Sequence, residues 1–329
     1  MSRRIAAKIT GVSGYVPPRV MTNADMEKLV DTDDAWIRER TGIRERHVAE
    51  KGVGSSDLAT AAARQLLASK SVPASEIDLI VVASVTPDMM FPATACLVQN
   101  NLGATNAWGF DLSAACSGFL YALTVAAQFV GASTQKKALA IGSDVMTSIL
   151  YYEDRATCVL FGDGAGATIV QRSTKHRGIL SAYMRSDGTL AKLLYRPKGG
   201  AADPVTPEII AEGSHYVHMQ GREVFKNAVR SMAESAARAL DMARINGGDI
   251  DLLIPHQANL RIIEATAKHA SIPMEKVFVN VDRYGNTSAA SIPIALDEAL
   301  RQGRIADGST VMFVAFGAGF TWGSMVVRF

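Results

Sequence analysis

The stretch Phe110–Leu123, FDLSAACSGFLYAL, decides the fold because it has a counterpart later in the same chain. It leads from an apolar strand through small residues into an apolar helix, and Asn286–Leu296, NTSAASIPIAL, repeats the small residues and the helix. Two further pairs occur in the same order, EIDLIVVAS with DIDLLIPHQ and FGDGAGATIVQR with FGAGFTWGSMVVRF. One match could arise by chance, but three at an offset of roughly 155–175 residues indicate duplication. We predict two similar halves, residues 1–173 and 174–329.

Apolar, β-rich runs alternate with Ala-rich amphipathic stretches, which is typical of a layered α/β fold. The predicted strands are Ile77–Ser84, Ala138–Ile141, Thr157–Phe161, Ala167–Gln171, Leu252–Ile254, Val277–Val281 and Val311–Phe316. The predicted helices are Asp57–Ser69, Val224–Ala243, Leu260–His269 and Ile292–Arg301. The segment Gly199–Glu212, rich in Gly and Pro, is the most loop-like part of the chain.

Composition excludes several classes of protein. The chain has 329 residues, 48% of them hydrophobic, and a formal net charge of +2, so it lacks the strongly basic face of a nucleic-acid binder. No apolar run approaches the roughly 18–20 residues of a membrane span, and the N-terminus does not resemble a signal peptide. Three cysteines do not form a disulfide framework and fit a reducing compartment. We therefore expect a cytoplasmic protein without nucleic-acid or membrane partners.

Cys116 is the candidate nucleophile. It follows the strand and opens the helix of the repeated stretch, where the helix dipole and free backbone N–H groups favour a thiolate. The alternative is that Cys116 is a small core residue, as free cysteines often are. For Cys96, at a helix-like position, and Cys158, in a predicted strand, packing is the favoured interpretation.

His256 lies just past a predicted buried strand, in LLIPHQANLRII, where open α/β sheets build their sites. It is well placed as a base or hydrogen-bond donor, although a loop histidine satisfied by water is the alternative. The other histidines lie in polar or loop-like surroundings and are predicted to be solvated: His47, His176, His215, His218 and His269.

Asn286 occupies, by the repeat, the turn that corresponds to the Cys116 turn. An isolated Asn more often caps a helix or shapes a turn, but the duplication would bring both turns together. The tail AFGAGFTWG can present backbone N–H groups to a ligand at close range. FGDGAGA is not a dinucleotide fingerprint, because the order of strand, glycines, helix and distant acid is missing.

The chain resembles the β-ketoacyl-acyl carrier protein synthase III family, initiating condensing enzymes of bacterial fatty acid synthesis with a thiolase-like fold. The similarity runs from TNADMEKLVDTDDAWIRERTGIRERH to the C-terminus, and its most specific motifs are DLSAACSGF, GSDV, FGDGAGA, PHQANLRI and GNTSAAS. It implies two pseudo-duplicated α/β halves layered αβαβα, a symmetric homodimer, and a catalytic triad of Cys116, His256 and Asn286.

The resemblance also implies binding residues. The adenine end of coenzyme A would contact Thr32, Trp36, Arg40 and Arg155, and Asn259 would line the pantetheine channel. Phe91 would cross the dimer interface to the partner's acyl pocket. Acyl carrier protein would dock on Arg261, helped by Lys226 and Lys268. Backbone N–H groups of Cys116 and Ala318 would hold the oxyanion.

Three features depart from the family pattern. Ala318 stands where some members have glycine, which should matter little to a backbone contact. Arg222 stands where some members have Asn, so the coenzyme A contact there is left open. The loop Lys198–Glu212 is longer than in the shortest members and could change the acyl pocket.

The implied reaction is a ping-pong acyl transfer from acyl-coenzyme A to Cys116, followed by decarboxylative condensation with malonyl-acyl carrier protein. Loss of carbon dioxide drives it, so no metal or redox cofactor is expected. A rival of the same fold is a polyketide- or quinolone-type synthase that uses malonyl-coenzyme A. A Cys-His-Asn peptidase and a non-catalytic acyl-thioester binding protein are further alternatives, disfavoured by the repeat and by the presence of Cys116 respectively.

Overall fold

The computed structural model describes residues 6–173 and 177–329. The strands are β1 Ala7–Tyr15, β2 Val20–Thr22, β3 Glu45–His47, β4 Leu79–Ala83, β5 Trp108–Leu112, β6 Lys137–Val145, β7 Asp163–Arg172, β8 Gly178–Ser186, β9 Leu194–Tyr195, β10 His218–Met219, β11 Leu252–Pro255, β12 Thr310–Gly317 and β13 Thr321–Arg328. The helices are α1 Asn23–Met26, α2 Asp34–Thr41, α3 Ser55–Ser69, α4 Thr94–Leu102, α5 Gly118–Gly131, α6 Arg155–Cys158, α7 Pro207–Ala211, α8 Gly221–Ala243, α9 Leu260–His269, α10 Val281–Tyr284 and α11 Ser291–Arg301.

The two main sheets have the same strand order. The first runs β1-β7-β6-β4-β5, and the second runs β8-β13-β12-β11, with Val277 pairing in parallel beside Leu253 at the place that β5 holds in the first. In both sheets the two central pairings repeat as parallel, then antiparallel: β4 with β6 and β6 with β7, β11 with β12 and β12 with β13. The boundary predicted between residues 173 and 174 stays a prediction, because residues 174–176, including His176, lie outside the described ranges.

The helices and the two sheets form five layers, because each packs its apolar face against the next. Helices α5 and α11 lie between the sheets and share one core with the inner faces of both. Helix α3 packs on the outer face of the first sheet, and α8 and α9 pack on the outer face of the second. This is the αβαβα arrangement of the α/β class that was predicted. Within residues 6–173 and 177–329, no helix combines the length and the apolar character that crossing a membrane requires.

Two of the predicted strands are wrong. Thr157–Phe161 begins inside helix α6 instead, because Asp154 caps that helix by accepting a hydrogen bond from the N–H of Ala156 at 3.0 Å. Val277–Val281 forms a single bridge and then enters α10. Its N–H groups at residues 280 and 281 donate to Oε1 of Gln257, at 2.9 and 3.2 Å, instead of to a strand. The other five strands and all four helices are confirmed.

The packing prediction for cysteines holds for Cys158, which is buried, and is wrong for Cys96, which is exposed. Helix α4 turns its Ala95 and Val98 face inward, and this leaves Cys96 on the opposite face. The loop-like segment 199–212 contains the short helix α7, and Lys198 forms an ion pair with Asp203 beside it.

Candidate active site

Cys116, His256 and Asn286 line one pocket of about 510 Å³, together with Phe316 and Gly317. They come from three separate segments: the turn after β5, the end of β11 and the turn before α11. The Cys116 turn of the first half contacts the Asn286 turn of the second half, and His256 at the end of β11 lines the same pocket. The structure therefore brings together the three residues that the sequence singled out.

Cys116 lies in the 3-10 turn Ala115–Ser117 that opens helix α5. Ala115 has φ +46°, and Ser288 has φ +51° at the corresponding position of the other half. Burial raises the pKa of the Cys116 thiol to about 12, against a smaller lowering by the neighbouring Ser288 hydroxyl. The sequence suggested a thiolate, whereas burial of Cys116 favours the neutral thiol.

The turn between β12 and β13 packs tightly on the Cys116 turn. A Cβ atom at Gly317 would lie 2.7 Å from the backbone N of Cys116, so only glycine fits. Thr321 Oγ1 donates to the carbonyl oxygen of Ala114 at 2.8 Å, and Ser117 Oγ donates to that of Thr321 at 3.0 Å. These bonds hold Ala318, a predicted oxyanion residue, in a turn adjoining the nucleophile.

His256 is 2% exposed, and burial lowers the pKa of its ring to about 3, so the imidazole is neutral. Its backbone N–H continues the sheet by donating to the carbonyl oxygen of Val314 at 2.8 Å. Its Nδ1 lies 2.6 Å from Oγ of Ser291, a contact that the sequence did not reveal. The ring is therefore held from behind, and Nε2 is left for the pocket.

Asn286 is fixed by its backbone and by one end of its amide. Its N–H donates to the carbonyl oxygen of Leu160 at 2.8 Å, and its carbonyl oxygen accepts from the N–H of Gly162 at 3.1 Å. Its Oδ1 accepts from the N–H of Ser288 at 2.9 Å. Across the described residues no protein acceptor bonds Nδ2, so the amide N–H groups are free to donate into the pocket.

Asp144, another residue that the sequence did not single out, is fully buried and close enough to Cys116 to act on its thiol electrostatically. Burial raises the pKa of its carboxyl group, while hydrogen bonds, led by that of the Val85 N–H at 2.8 Å, oppose the rise. It also accepts from the N–H of Ala289 at 3.2 Å, which ties the first half to the Asn286 turn. Only the GSDV motif pointed to it.

Trp36 and Arg40 line the pocket as part of a stack of three side chains that also includes Arg155. The guanidinium carbons of Arg40 and Arg155 lie 4.8 and 5.0 Å from the ring centre of Trp36. Trp36 and Arg40 line the pocket, whereas Arg155 and Thr32 do not; Arg155 donates instead to the carbonyl oxygen of Asp31 at 2.9 Å. A cation–aromatic stack of this kind presents a flat, positively charged surface suited to a phosphorylated base.

Asn259, Arg261 and Arg222 also line the pocket. Both ends of the Asn259 amide are used by the protein: Nδ2 donates to the carbonyl oxygen of Arg40 at 2.8 Å, and Oδ1 caps α9 by accepting from the N–H of Arg261 at 2.9 Å. Lys226 and Lys268 are exposed on α8 and α9, the helices that carry Arg222 and Arg261.

Phe91 lies outside the pocket of its own chain. It is 84% exposed, next to Met90 at 79%, so this loop presents a bare apolar surface.

Among the remaining histidines, His218 and His269 are exposed as predicted. His47 and His215 are half-buried and only partly solvated, because the His47 ring stacks on Tyr284 and the His215 ring packs at a tilt against Tyr216. No cluster of three or more metal-ligating side chains occurs in the part of the chain that the structure describes.

Comparison with known proteins agrees with this geometry. A family model described as 3-oxoacyl-[acyl-carrier-protein (ACP)] synthase III matches residues 110–188, and the model of its C-terminal part matches residues 240–329. A β-ketoacyl-[acyl-carrier-protein] synthase III of Symbiobacterium thermophilum is 52% identical over 97% of both chains, and one of Koribacter versatilis is 50% identical over 98% of this chain and 97% of the relative.

A solved structure of the Aquifex aeolicus 3-oxoacyl-[acyl-carrier-protein] synthase III is 46% identical and superposes with a TM-score of 0.92, covering 98% of this chain and 100% of that one. Identity at this level over nearly the whole length, together with two matching family models, shows common descent and a common fold. The chain belongs to the β-ketoacyl-acyl carrier protein synthase III family.

Proposed function

We propose that this chain is an acyltransferase that starts type II fatty acid synthesis by condensing an acyl-coenzyme A primer with malonyl-acyl carrier protein. The products are 3-oxoacyl-acyl carrier protein, carbon dioxide and coenzyme A. The proposal rests on the convergence of Cys116, His256 and Asn286 on one pocket in a chain of this family. The relatives at about half identity bear the carrier-protein synthase name, which does not favour the polyketide- or quinolone-type alternative.

In the first half-reaction, Cys116 attacks the primer carbonyl and forms an acyl thioester. The carbon–sulfur bond to coenzyme A breaks, and the proton of the Cys116 thiol ends on the departing sulfur. The N-terminus of α5 stabilises negative charge on the sulfur as the proton leaves. Backbone N–H groups of Cys116 and Ala318 stabilise the oxyanion.

In the second half-reaction, His256 and Asn286 donate hydrogen bonds to the thioester carbonyl of malonyl-acyl carrier protein. Carbon dioxide leaves, and the two donors stabilise the enolate that forms. The enolate carbon attacks the acyl group on Cys116, the acyl–sulfur bond breaks, and the sulfur that is released takes up a proton from solvent. Because decarboxylation drives the step, the chemistry requires no metal or redox cofactor.

Coenzyme A would lie along the pocket with its adenine at the Trp36 stack and its thioester at Cys116. The adenine end of coenzyme A would rest on the Trp36 stack with Arg40, Arg155 and Thr32, and the pantetheine arm would pass Asn259. Arg222 lines the same passage and supplies a positive charge for the phosphates. The acidic carrier protein would dock on Arg261, Lys226 and Lys268.

We further propose a cytoplasmic homodimer without nucleic-acid or membrane partners, in which Phe91 of each chain closes the acyl pocket of its partner. The exposure of Phe91, and the fact that it does not line the pocket of its own chain, support this role.

Transfer of a radiolabelled acyl group from acyl-coenzyme A tests the nucleophile. Wild type and the variants Cys96→Ala and Cys158→Ala should retain the label after denaturation, because each keeps Cys116. The variant Cys116→Ala should retain none, since no other thiol lines the pocket in the described part of the chain. Stable labelling of Cys116→Ala would refute the assignment.

A further inference from the structure

Ser291 is a buried hydroxyl residue in direct contact with the catalytic histidine. It is the first residue of α11, and its Oγ lies 2.6 Å from Nδ1 of His256, with both side chains 2% exposed. The duplication does not require a side chain at this position. Its counterpart at the start of α5 is Gly118, where a Cβ atom would lie 2.8 Å from the side chain of Ala83.

The direction of this hydrogen bond follows from counting protons. The backbone N–H of Gln257, which can only donate, points at Ser291 Oγ from 3.4 Å. Among the described residues, Nδ1 of His256 is the other group within hydrogen-bonding distance of that oxygen. If Nδ1 carried a proton, Oγ would accept twice, and the hydroxyl proton would be buried without an acceptor, which is unfavourable. Ser291 therefore donates to Nδ1.

The donor Gln257 is itself held in place, which keeps this arrangement rigid. Its side-chain Nε2 donates to the carbonyl oxygens of Pro255 and Phe278 at 2.8 and 3.1 Å. Its Oε1 accepts from two backbone N–H groups at residues 280 and 281. The serine, the glutamine backbone and the histidine thus form one buried unit behind the ring.

A neutral imidazole that accepts at Nδ1 has its one proton on Nε2. We propose that Ser291 is a positioning residue that keeps His256 in this tautomer, so that Nε2–H is always ready to donate to the malonyl thioester carbonyl. The opposite tautomer would direct a lone pair at the developing enolate oxygen and oppose decarboxylation. This inference rests on the proposed function and deepens its second half-reaction.

The two half-reactions can be measured separately in Ser291→Ala and Ser291→Thr. We expect Ser291→Ala to release carbon dioxide from malonyl-acyl carrier protein about tenfold more slowly in kcat, with KM nearly unchanged. Acylation of Cys116 by acyl-coenzyme A should change by less than about threefold, because in the proposed first half-reaction backbone N–H groups, and not Nε2 of His256, hold the oxyanion. Ser291→Thr, which keeps the hydroxyl, should restore the rate of decarboxylation.

A direct measurement decides the tautomer without any variant of Ser291. In protein labelled with ¹⁵N-histidine, the His256 ring, assigned by comparison with His256→Gln, should show a protonated Nε2 and an unprotonated Nδ1. A protonated Nδ1 in wild type, or unchanged decarboxylation in Ser291→Ala, would overturn the proposal. If wild type released no carbon dioxide at all, the proposed function would fail, while the ring measurement would still decide the role of Ser291.

Discussion

The protonation state of Cys116 gives a prediction at the scale of a single residue. With a pKa raised to about 12 by burial, the thiolate fraction should grow about tenfold per pH unit throughout the range from pH 6 to 9. Alkylation by iodoacetamide should follow that slope without a plateau. The neutral His256, whose pKa is lowered to about 3, adds no step in this range.

The measurement uses Cys96→Ala/Cys158→Ala, in which Cys116 is the remaining cysteine, and follows the rate by mass spectrometry. Free cysteine at the same pH values gives the reference profile, which levels off above its ordinary pKa of about 8.5. A plateau for Cys116 below pH 8 would mean that the start of α5 holds a thiolate after all, and that burial is not the dominant effect.

How far the sequence predicted the site depends on the kind of contact involved. Cys116 and His256 could be found because one opens a helix and the other follows a strand, and Asn286 could be found because the internal repeat places it in the corresponding turn; the family resemblance then joined the three into one site. Ser291 and Asp144 could not be found in this way. Their importance comes from contacts across 35 and 145 residues, with His256 and Ala289, and a serine at a helix start has the same local pattern whether or not it reaches a histidine.

At the scale of elements, helices α8 and α9 carry the basic residues at the mouth of the pocket. Arg261 lies at the start of α9 with its guanidinium carbon 5.6 Å from the ring centre of Phe225 on α8, and Lys226 follows that phenylalanine. Lys226→Glu and Arg261→Glu should each raise KM for malonyl-acyl carrier protein several-fold, because they place a negative charge opposite an acidic partner.

Arg238→Glu is the matched control for the carrier-protein experiment. It makes the same change of charge on α8, on another exposed residue twelve positions from Lys226, which is about 18 Å along the helix axis. Steady-state kinetics at low ionic strength should show little change for this control. Equal effects of all three substitutions would indicate a general charge effect, and no effect of Lys226→Glu and Arg261→Glu would remove the proposed docking surface.

The elements that the sequence misassigned are short runs whose backbone N–H groups donate to nearby acceptors outside any sheet. The runs Thr157–Phe161 and Val277–Val281 have the apolar, β-branched composition of strands. In the structure, the N–H groups of Thr157 and Cys158 donate to the backbone carbonyl oxygen of Asp154 at 3.1 and 3.0 Å, and those at residues 280 and 281 donate to Oε1 of Gln257. Composition cannot show where such acceptors will lie, whereas long periodic helices such as α8 are predicted well because one face alone determines their burial.

At the scale of the whole molecule, one edge of the first sheet stands out. Strand β5 is the last strand of that sheet, and its Trp108 is 45% exposed while stacking on Phe110. The N–H groups of Thr94 and Ala95 bond the carboxylate of Asp111, which fixes the chain that follows Phe91 against this strand. An open strand edge beside a bare apolar loop is a surface that folded proteins normally cover.

A second copy of the chain is the partner that we propose for this surface, so that Phe91→Glu should abolish the dimer. Light scattering should give wild type twice the chain mass of 35.1 kDa, and Phe91→Glu the mass of one chain, because a carboxylate would have to be buried at the interface. Met274→Glu places the same charge on another exposed apolar residue and should leave the dimer intact.

If Phe91 also closes the partner's acyl pocket, Phe91→Ala should keep the dimer but acylate Cys116 with an altered preference for primer length. A wild-type monomer would exclude both roles of Phe91, a dimer unaffected by Phe91→Glu would exclude its role in holding the dimer, and an unchanged primer preference in Phe91→Ala would exclude its role in the acyl pocket.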